Sequence, residues 1–112
     1  MWIKNISLAN FRNYKSQSVE FNPGFNIFVG NNAQGKTNLL ESMYLLALSK
    51  SYRAGREREL IYHNEERMMV HGRVSREGDV DLKVIVDAAA AKKLFVNNKA
   101  TTANRFVGKL NV

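Results

Sequence analysis

Gly30-Asn31-Asn32-Ala33-Gln34-Gly35-Lys36-Thr37 is the stretch on which the reading of this chain turns. It satisfies the phosphate-loop pattern Gly-x-x-x-x-Gly-Lys-Ser/Thr at each fixed position, and its flanks suit such a loop. Upstream, Phe25-Asn26-Ile27-Phe28-Val29 reads as a short buried strand; downstream, Thr37 to Leu48 reads as a helix. Gly30 and Gly35 let the backbone turn so that successive N–H groups converge on phosphate oxygens with no Cβ in the way. Lys36 brings a positive charge to the β and γ phosphates, and the Thr37 hydroxyl stands at the helix start, where it ligates Mg2+. The positive end of the helix faces the same anion. The competing reading is a glycine-containing strand-to-helix turn with a solvent-exposed lysine. Average residue usage puts a chance match in a chain of this size on the order of a few per thousand, and the strand and helix flanks reduce it further.

Working outward, the 112 residues suffice for one modest core, the usual size of a single domain. The longest apolar run, Met43 to Leu48, is far too short to cross a bilayer, and Met1-Trp2-Ile3-Lys4-Asn5 lacks the apolar stretch of a secretory signal. No membrane association is expected. With no cysteine, disulfides, thiolate metal sites and cysteine nucleophiles are excluded, and a reducing, cytoplasmic location fits. His63 and His71 have no ligand-spaced partners and are not read as metal ligands. A formal net charge of +7 favours a polyanionic partner such as nucleic acid or an acidic membrane surface; the alternatives are a surface that is basic for solubility or an acidic remainder that has been cut off.

The apolar pattern around Trp2, Ile3, Ile6 and Leu8 predicts a first strand, and Val19 with Phe21 a second, ahead of the turn Asn22-Pro23-Gly24. Leu39, Leu40, Met43, Leu46 and Ala47 recur at helical spacing; Tyr44, Leu45 and Leu48 make the second half of that helix apolar nearly all round, so it is expected to be buried. The polar, basic stretch from Lys50 to Glu59 predicts a loop with a short helix leading to Leu60 and Ile61. Its cations Lys50, Arg53, Arg56 and Arg58, with Tyr52 between them, are candidates either for DNA phosphates or for the base of a nucleotide, or else are solvated. From Met68 the pattern alternates: Met68, Val70 and Val74 share one face and Val80, Leu82, Val84 and Val86 another, an antiparallel hairpin turning at Glu77-Gly78-Asp79. Lys93 to Val96 adds a strand closed by Asn97-Asn98, and Thr101 to Leu110 a short helix capped by Thr101 or Thr102. The chain thus divides into a phosphate-loop core over 1–60 and antiparallel strands over 66–100. Val84-Ile85-Val86-Asp87 imitates a Walker B strand, but Lys83 interrupts the apolar run and the alternation is that of a half-exposed strand, so Asp87 is read as a solvent-facing acid.

Four further stretches join the loop: Asn10-Phe11-Arg12-Asn13-Tyr14, Gly24-Phe25-Asn26, Asn38-Leu39-Leu40-Glu41 and Ser51-Tyr52-Arg53. Together they resemble the N-terminal part of the RecF family, in the SMC-like branch of ABC-type ATPases. The resemblance implies an α/β fold: a P-loop NTPase, the head lobe of an ABC-type ATPase, with a mixed sheet around the phosphate-loop helix and an antiparallel β subdomain, here as an incomplete fragment. It implies ATP and Mg2+ as cofactors, an ATP-dependent homodimer, binding of double-stranded DNA, and cooperation with RecO and RecR in helping RecA load at gaps during replication, repair and the SOS response to DNA damage. The nucleotide set it implies is Arg12 with Gly30, Asn31, Asn32, Ala33, Gln34, Gly35, Lys36, Thr37 and Asn38, and Thr37 is also the metal ligand. Arg12 resembles an arginine that approaches nucleotide phosphates in SMC-like heads, a role its forked donors suit; otherwise it is a surface arginine after the first strand. RecF-like proteins carry, further along, a Ser-Gly signature, a Walker B Asp followed by a catalytic acid, and a switch histidine, none of which is read here. Hydrolysis needs an oriented water and charge stabilisation from several elements. No catalytic residue is therefore assigned, and the fragment is expected to bind nucleotide with little turnover. A P-loop small-molecule kinase or transferase is the alternative function, and a non-enzymatic interaction module a third.

Overall fold

A computed structural model of the chain describes residues 2–20, 33–49, 57–75, 78–89 and 91–106, with the backbone alone at 2, 33–37, 57, 58, 103 and 104. The elements run β1 (Trp2–Phe11), β2 (Tyr14–Glu20), α1 (Ala33–Leu48), a 3-10 turn (Glu57–Leu60), β3 (Arg67–Ser75), β4 (Asp79–Asp87), β5 (Lys92–Val96), β6 (Lys99–Thr101) and α2 (Ala103–Phe106). The strands form one sheet in the order β2-β1-β3-β4-β5-β6, each neighbour antiparallel to the next. β1 therefore stands between β2 and β3, opposing Leu8 to Val70 and Ile6 to Gly72, so the two segments expected as core and antiparallel strands share one sheet. The expected strand over 25–29, on which a mixed sheet depends, lies outside the described residues, as does the turn at 22–24.

The period-two pattern sets which face is covered. Met68, Val70 and Val74 of β3 and Leu82, Val84 and Val86 of β4 are fully buried, joined by Ile6 and Leu8 of β1 and Leu94 of β5. Leu39, Leu45, Leu46 and Ala47 of α1 pack into this face with Phe11, Leu60 and Phe106. Each such side chain withdrawn from water contributes about 2 kcal/mol, which is what holds the helix to the sheet. Burial of α1 is one-sided, contrary to the expectation of a helix covered all round: Leu40 and Leu48 are each 41% exposed. Among the described residues one sheet covers the helix, from one side.

Gly72 is the point of closest approach. A Cβ there would stand 2.6 Å from Leu46 Cδ1, so the helix lies as near to β3 as a bare backbone allows. Leu46 is itself fully buried in the core cluster. Gly72→Ala is expected to lower unfolding stability by about 1–3 kcal/mol, the usual cost of overpacking. The urea midpoint measures it, and an unchanged midpoint would mean that α1 does not lie on β3.

Local chemistry explains the remaining joints. α1 starts at Ala33 rather than Thr37 because Ala, Gln and Lys are good helix formers and the one glycine among them costs only about 1 kcal/mol. It ends at Ser49, which sits in the left-handed region (φ 61°) and donates its N–H to the Leu45 carbonyl at 2.9 Å, an αL cap. Lys92 Nζ donates to the Ser49 carbonyl at 2.6 Å, placing a cation at the negative end of the helix. β2 begins at Tyr14, well before the expected Val19, because pairing with β1 extends a polar edge strand that periodicity cannot reveal. Asn97 and Asn98 both take positive φ (51° and 67°), the geometry of a tight hairpin turn from β5 to β6. The Thr102 carbonyl accepts the N–H groups of Arg105 and Phe106 at the start of α2; the residues beyond Phe106 that the expected helix included lie outside the described set. Asp87 also caps a turn: its Oδ1 accepts the amides of Ala89 and Ala91 at 3.0 Å each and so closes the β4–β5 connection. Among the described residues, no helix is long and apolar enough to cross a membrane.

Candidate functional site

The phosphate-loop motif ends inside α1, whose first residues, Ala33 to Thr37, are its last five positions. Gly30, Asn31 and Asn32 lie outside the described residues, and so do the side chains of 33–37. The side chains next along the helix are described, and two of them are polar and buried: Asn38 (1% exposed) and Glu41 (0%). They stand three apart, on one face of the helix. A buried carboxylate or amide must find partners to offset its lost hydration, and here both reach the turn between β1 and β2. Arg12 donates from Nε to Glu41 Oε1 at 2.8 Å and from Nη2 to Glu41 Oε2 at 2.9 Å, a forked pair. Asn38 Nδ2 donates to Asn13 Oδ1 beside it.

That turn is held from three sides. Asn10 (φ 54°) and Arg12 (φ 53°) occupy the left-handed region, which costs a non-glycine residue roughly 1 kcal/mol each. The surrounding bonds fix them: Arg12 N–H donates to the Leu60 carbonyl at 2.7 Å, Tyr62 N–H to the Asn10 carbonyl at 2.7 Å, and Asn10 Nδ2 to the Arg67 carbonyl at 3.3 Å. Phe11 lies fully buried between them and pairs with Ile61. The strain is sustained because the neighbours leave the backbone no other course. Position 41 follows position 37 by one helical turn, about 6 Å along the axis, and on the same face. A glutamate on a helix leans back toward the N-terminal turn. The Arg12 guanidinium thus meets α1 one turn beyond the residues that complete the motif.

Of the expected site residues, Arg12 and Asn38 are thereby brought to one place, the junction of the β1–β2 turn with α1. Glu41 and Asn13 complete the junction and escaped sequence reasoning about the site. The signal was available in the polar residues Asn38 and Glu41 spaced three apart among leucines, which require partners. The basic stretch Lys50, Arg53, Arg56 and the Arg58 side chain lie outside the described residues. Among the described residues, no group of three or more His, Asp or Glu is placed to hold a metal ion.

The opposite face of the sheet carries a separate charge cluster. Arg73 Nε donates to Asp81 Oδ1 at 2.9 Å, and His71 Nε2 lies 3.5 Å from the same oxygen. Lys4 pairs with Asp79 at 3.1 Å, and Lys83 Nζ sits 5.3 Å from the centre of the Phe95 ring. The hydrogen bond from Arg73, aided by the charges of Arg73 and His71, holds the Asp81 carboxyl below its ordinary range. The same bond raises Arg73. A depressed carboxyl contributes stability that is present above its unfolded value, about 3.9, and is lost as pH falls through the folded value. Asp81→Asn is therefore expected to flatten the acid limb of the melting-temperature profile below about pH 4, with only a small change at neutral pH. Identical acid limbs in the two proteins would rule out the pairing.

The matches with known proteins cover the whole region. The family model of the RecF/RecN/SMC N-terminal domain matches residues 2–111. The DNA replication and repair protein RecF of Streptococcus pneumoniae is 38% identical over 113 aligned positions, which take in all of this chain and 31% of that protein. The chain thus spans about a third of the length of the curated relatives it matches. Among solved structures, the recombination mediator protein RecF-ATP of the RecFOR pathway superposes with a TM-score of 0.89 and 33% identity, over 98% of this chain and 31% of that one. An SMC ATPase, studied for ATP-driven dimerization and DNA-stimulated activation, superposes with a TM-score of 0.84 over 96% of this chain and 76% of that one; at 22% identity the likeness is one of fold. The expected fold class, an ABC-type ATPase head lobe carried in part, is borne out by these neighbours. With a phosphate-loop sequence running into α1 and agreement along nearly its entire length, the chain belongs to the RecF/RecN/SMC N-terminal domain family.

Proposed function

We propose that the chain is the ATP-binding lobe of a RecF-type DNA-repair ATPase. It holds ATP with Mg2+ through the amides of residues 30–35, Lys36 and the Thr37 hydroxyl, with Asn38 and Arg12 beside them. The whole protein binds double-stranded DNA, dimerises when ATP is bound, and works with RecO and RecR in the cytoplasm to support RecA loading at gaps. Little hydrolysis is expected from these residues alone, because the water-orienting and charge-stabilising groups of such a reaction come from several elements. The observation that carries the reading is the complete motif at 30–37, whose last positions form the first turns of α1 in a member of this family. The similarity to RecF-ATP and RecF-ATPrS supports ATP as the nucleotide. The kinase or transferase alternative fares worse, since the described strands flanking α1 in sequence are antiparallel rather than wound into a parallel sheet. The deciding experiment compares Mg-ATP affinity of the chain with that of Lys36→Ala. Equal affinity would remove the reading.

A further inference from the structure

A carboxylate beside an anion site is an electrostatic liability, yet Glu41 sits fully buried one helical turn beyond Thr37. Its two oxygens are engaged by Nε and Nη2 of Arg12, at 2.8 and 2.9 Å. That grip uses one edge of the guanidinium and leaves the donors of Nη1 without a partner among the described residues. The Arg12 side chain is 22% exposed, and the gripped edge is fixed. Its backbone is fixed too, by the bond to Leu60 and by the buried Phe11 next to it. We propose that Glu41 is a positioning residue: it clamps Arg12 so that the outer edge of the guanidinium is already aimed at the phosphates of the nucleotide held by the loop. This rests on the nucleotide reading above. The physical gain is that the rotamer freedom of a long side chain is lost on folding rather than on binding, which leaves more of each contact for affinity. Geometry therefore opposes charge, and the two predict opposite signs. Removing a carboxylate from the neighbourhood of a triphosphate should tighten binding if repulsion is all it supplies, and weaken binding if it holds the arginine.

The test measures affinity of the chain for a fluorescent ATP analogue with Mg2+ in Glu41→Gln, Glu41→Asp, Arg12→Lys and the Glu41→Gln/Arg12→Lys double variant, each first shown to be folded by its melting curve. Arg12→Lys keeps the charge opposite Glu41 but has no fork for the clamp to hold. Glu41→Gln is expected to weaken binding about fivefold and Arg12→Lys about tenfold, with the double variant no weaker than Arg12→Lys alone, as for two residues acting through one contact. Glu41→Asp keeps the charge on a shorter arm and is expected to bind no better than Glu41→Gln. If Glu41→Gln does not fold, Glu41→Asp takes its place in the double variant. Unchanged or tighter binding in Glu41→Gln, wild-type affinity in Glu41→Asp, or an equal loss from Glu41→Gln with and without Arg12 would each overturn the proposal. Lys36→Ala separates the two levels: wild-type affinity in that variant sinks the phosphate loop itself, whereas a loss there alongside an indifferent Glu41 sinks only the clamp.

Discussion

Lys36→Ala is expected to weaken Mg-ATP binding by roughly 30- to 150-fold, the equivalent of about 2–3 kcal/mol for charge-assisted contacts. The lysine is a compact point charge at the β and γ phosphates, and no neighbouring amide can replace a full charge. The backbone amides of the loop and the positive end of α1 remain, so binding falls without vanishing. Stability without nucleotide should be level or slightly raised, because position 36 is helical and alanine is the best helix former. The two effects separate cleanly in a thermal melt. Wild type should gain about 2.7 kcal/mol of stability with nucleotide at a hundred times its Kd, while the variant, at the same concentration, should gain far less. A variant stabilised by ATP as strongly as wild type would place the phosphates elsewhere.

Arg12→Ala should lower folding stability by about 3 kcal/mol. The reason is asymmetry. Glu41 is fully buried, and removing the guanidinium takes the forked pair away from both of its oxygens at a place where water does not replace it. Arg12 also occupies the left-handed region, which its forked grip on α1 helps to sustain, and alanine inherits the strain without the grip. The double variant Arg12→Ala/Glu41→Ala should recover part of the loss, since the buried carboxylate is removed together with its guanidinium. Denaturant midpoints of the two variants and wild type provide the comparison. A single variant as stable as wild type would mean that Glu41 is not dependent on Arg12 in solution.

How far the sequence reached depended on the range of the signal. The β3–β4 hairpin was legible because its faces alternate residue by residue from Met68 to Val86, and the tight turn at Asn97-Asn98 because asparagine tolerates positive φ. Helix α1 was legible from Leu39 to Leu48, but its start was placed at Thr37 because the loop glycines mask the helical spacing of Ala33 to Lys36. β2 was the weakest reading: Lys15, Ser16, Gln17 and Ser18 are polar and exposed, and their strand conformation comes from pairing with β1 rather than from their own composition. The capping role of Asp87 was not legible, because nothing in Val84-Ile85-Val86-Asp87 discloses the turn whose amides it accepts. Within the site, the loop motif and Arg12 were readable as residue types, whereas Glu41 was read only as part of a family likeness.

The amino-acid order alone determined the phosphate-loop motif and the alternation that makes a one-faced antiparallel sheet, because each is written within a few consecutive residues, and the charge that favours an anionic partner, because it is a sum over composition. The tertiary structure alone decided that β1 lies beside β3, that α1 rests on Gly72, and that Arg12 is gripped by Glu41. Those contacts join residues far apart in the chain. Their partners are chosen by which closures bury the most apolar surface while satisfying every buried charge, a condition on the whole fold that no local period of two or 3.6 residues contains.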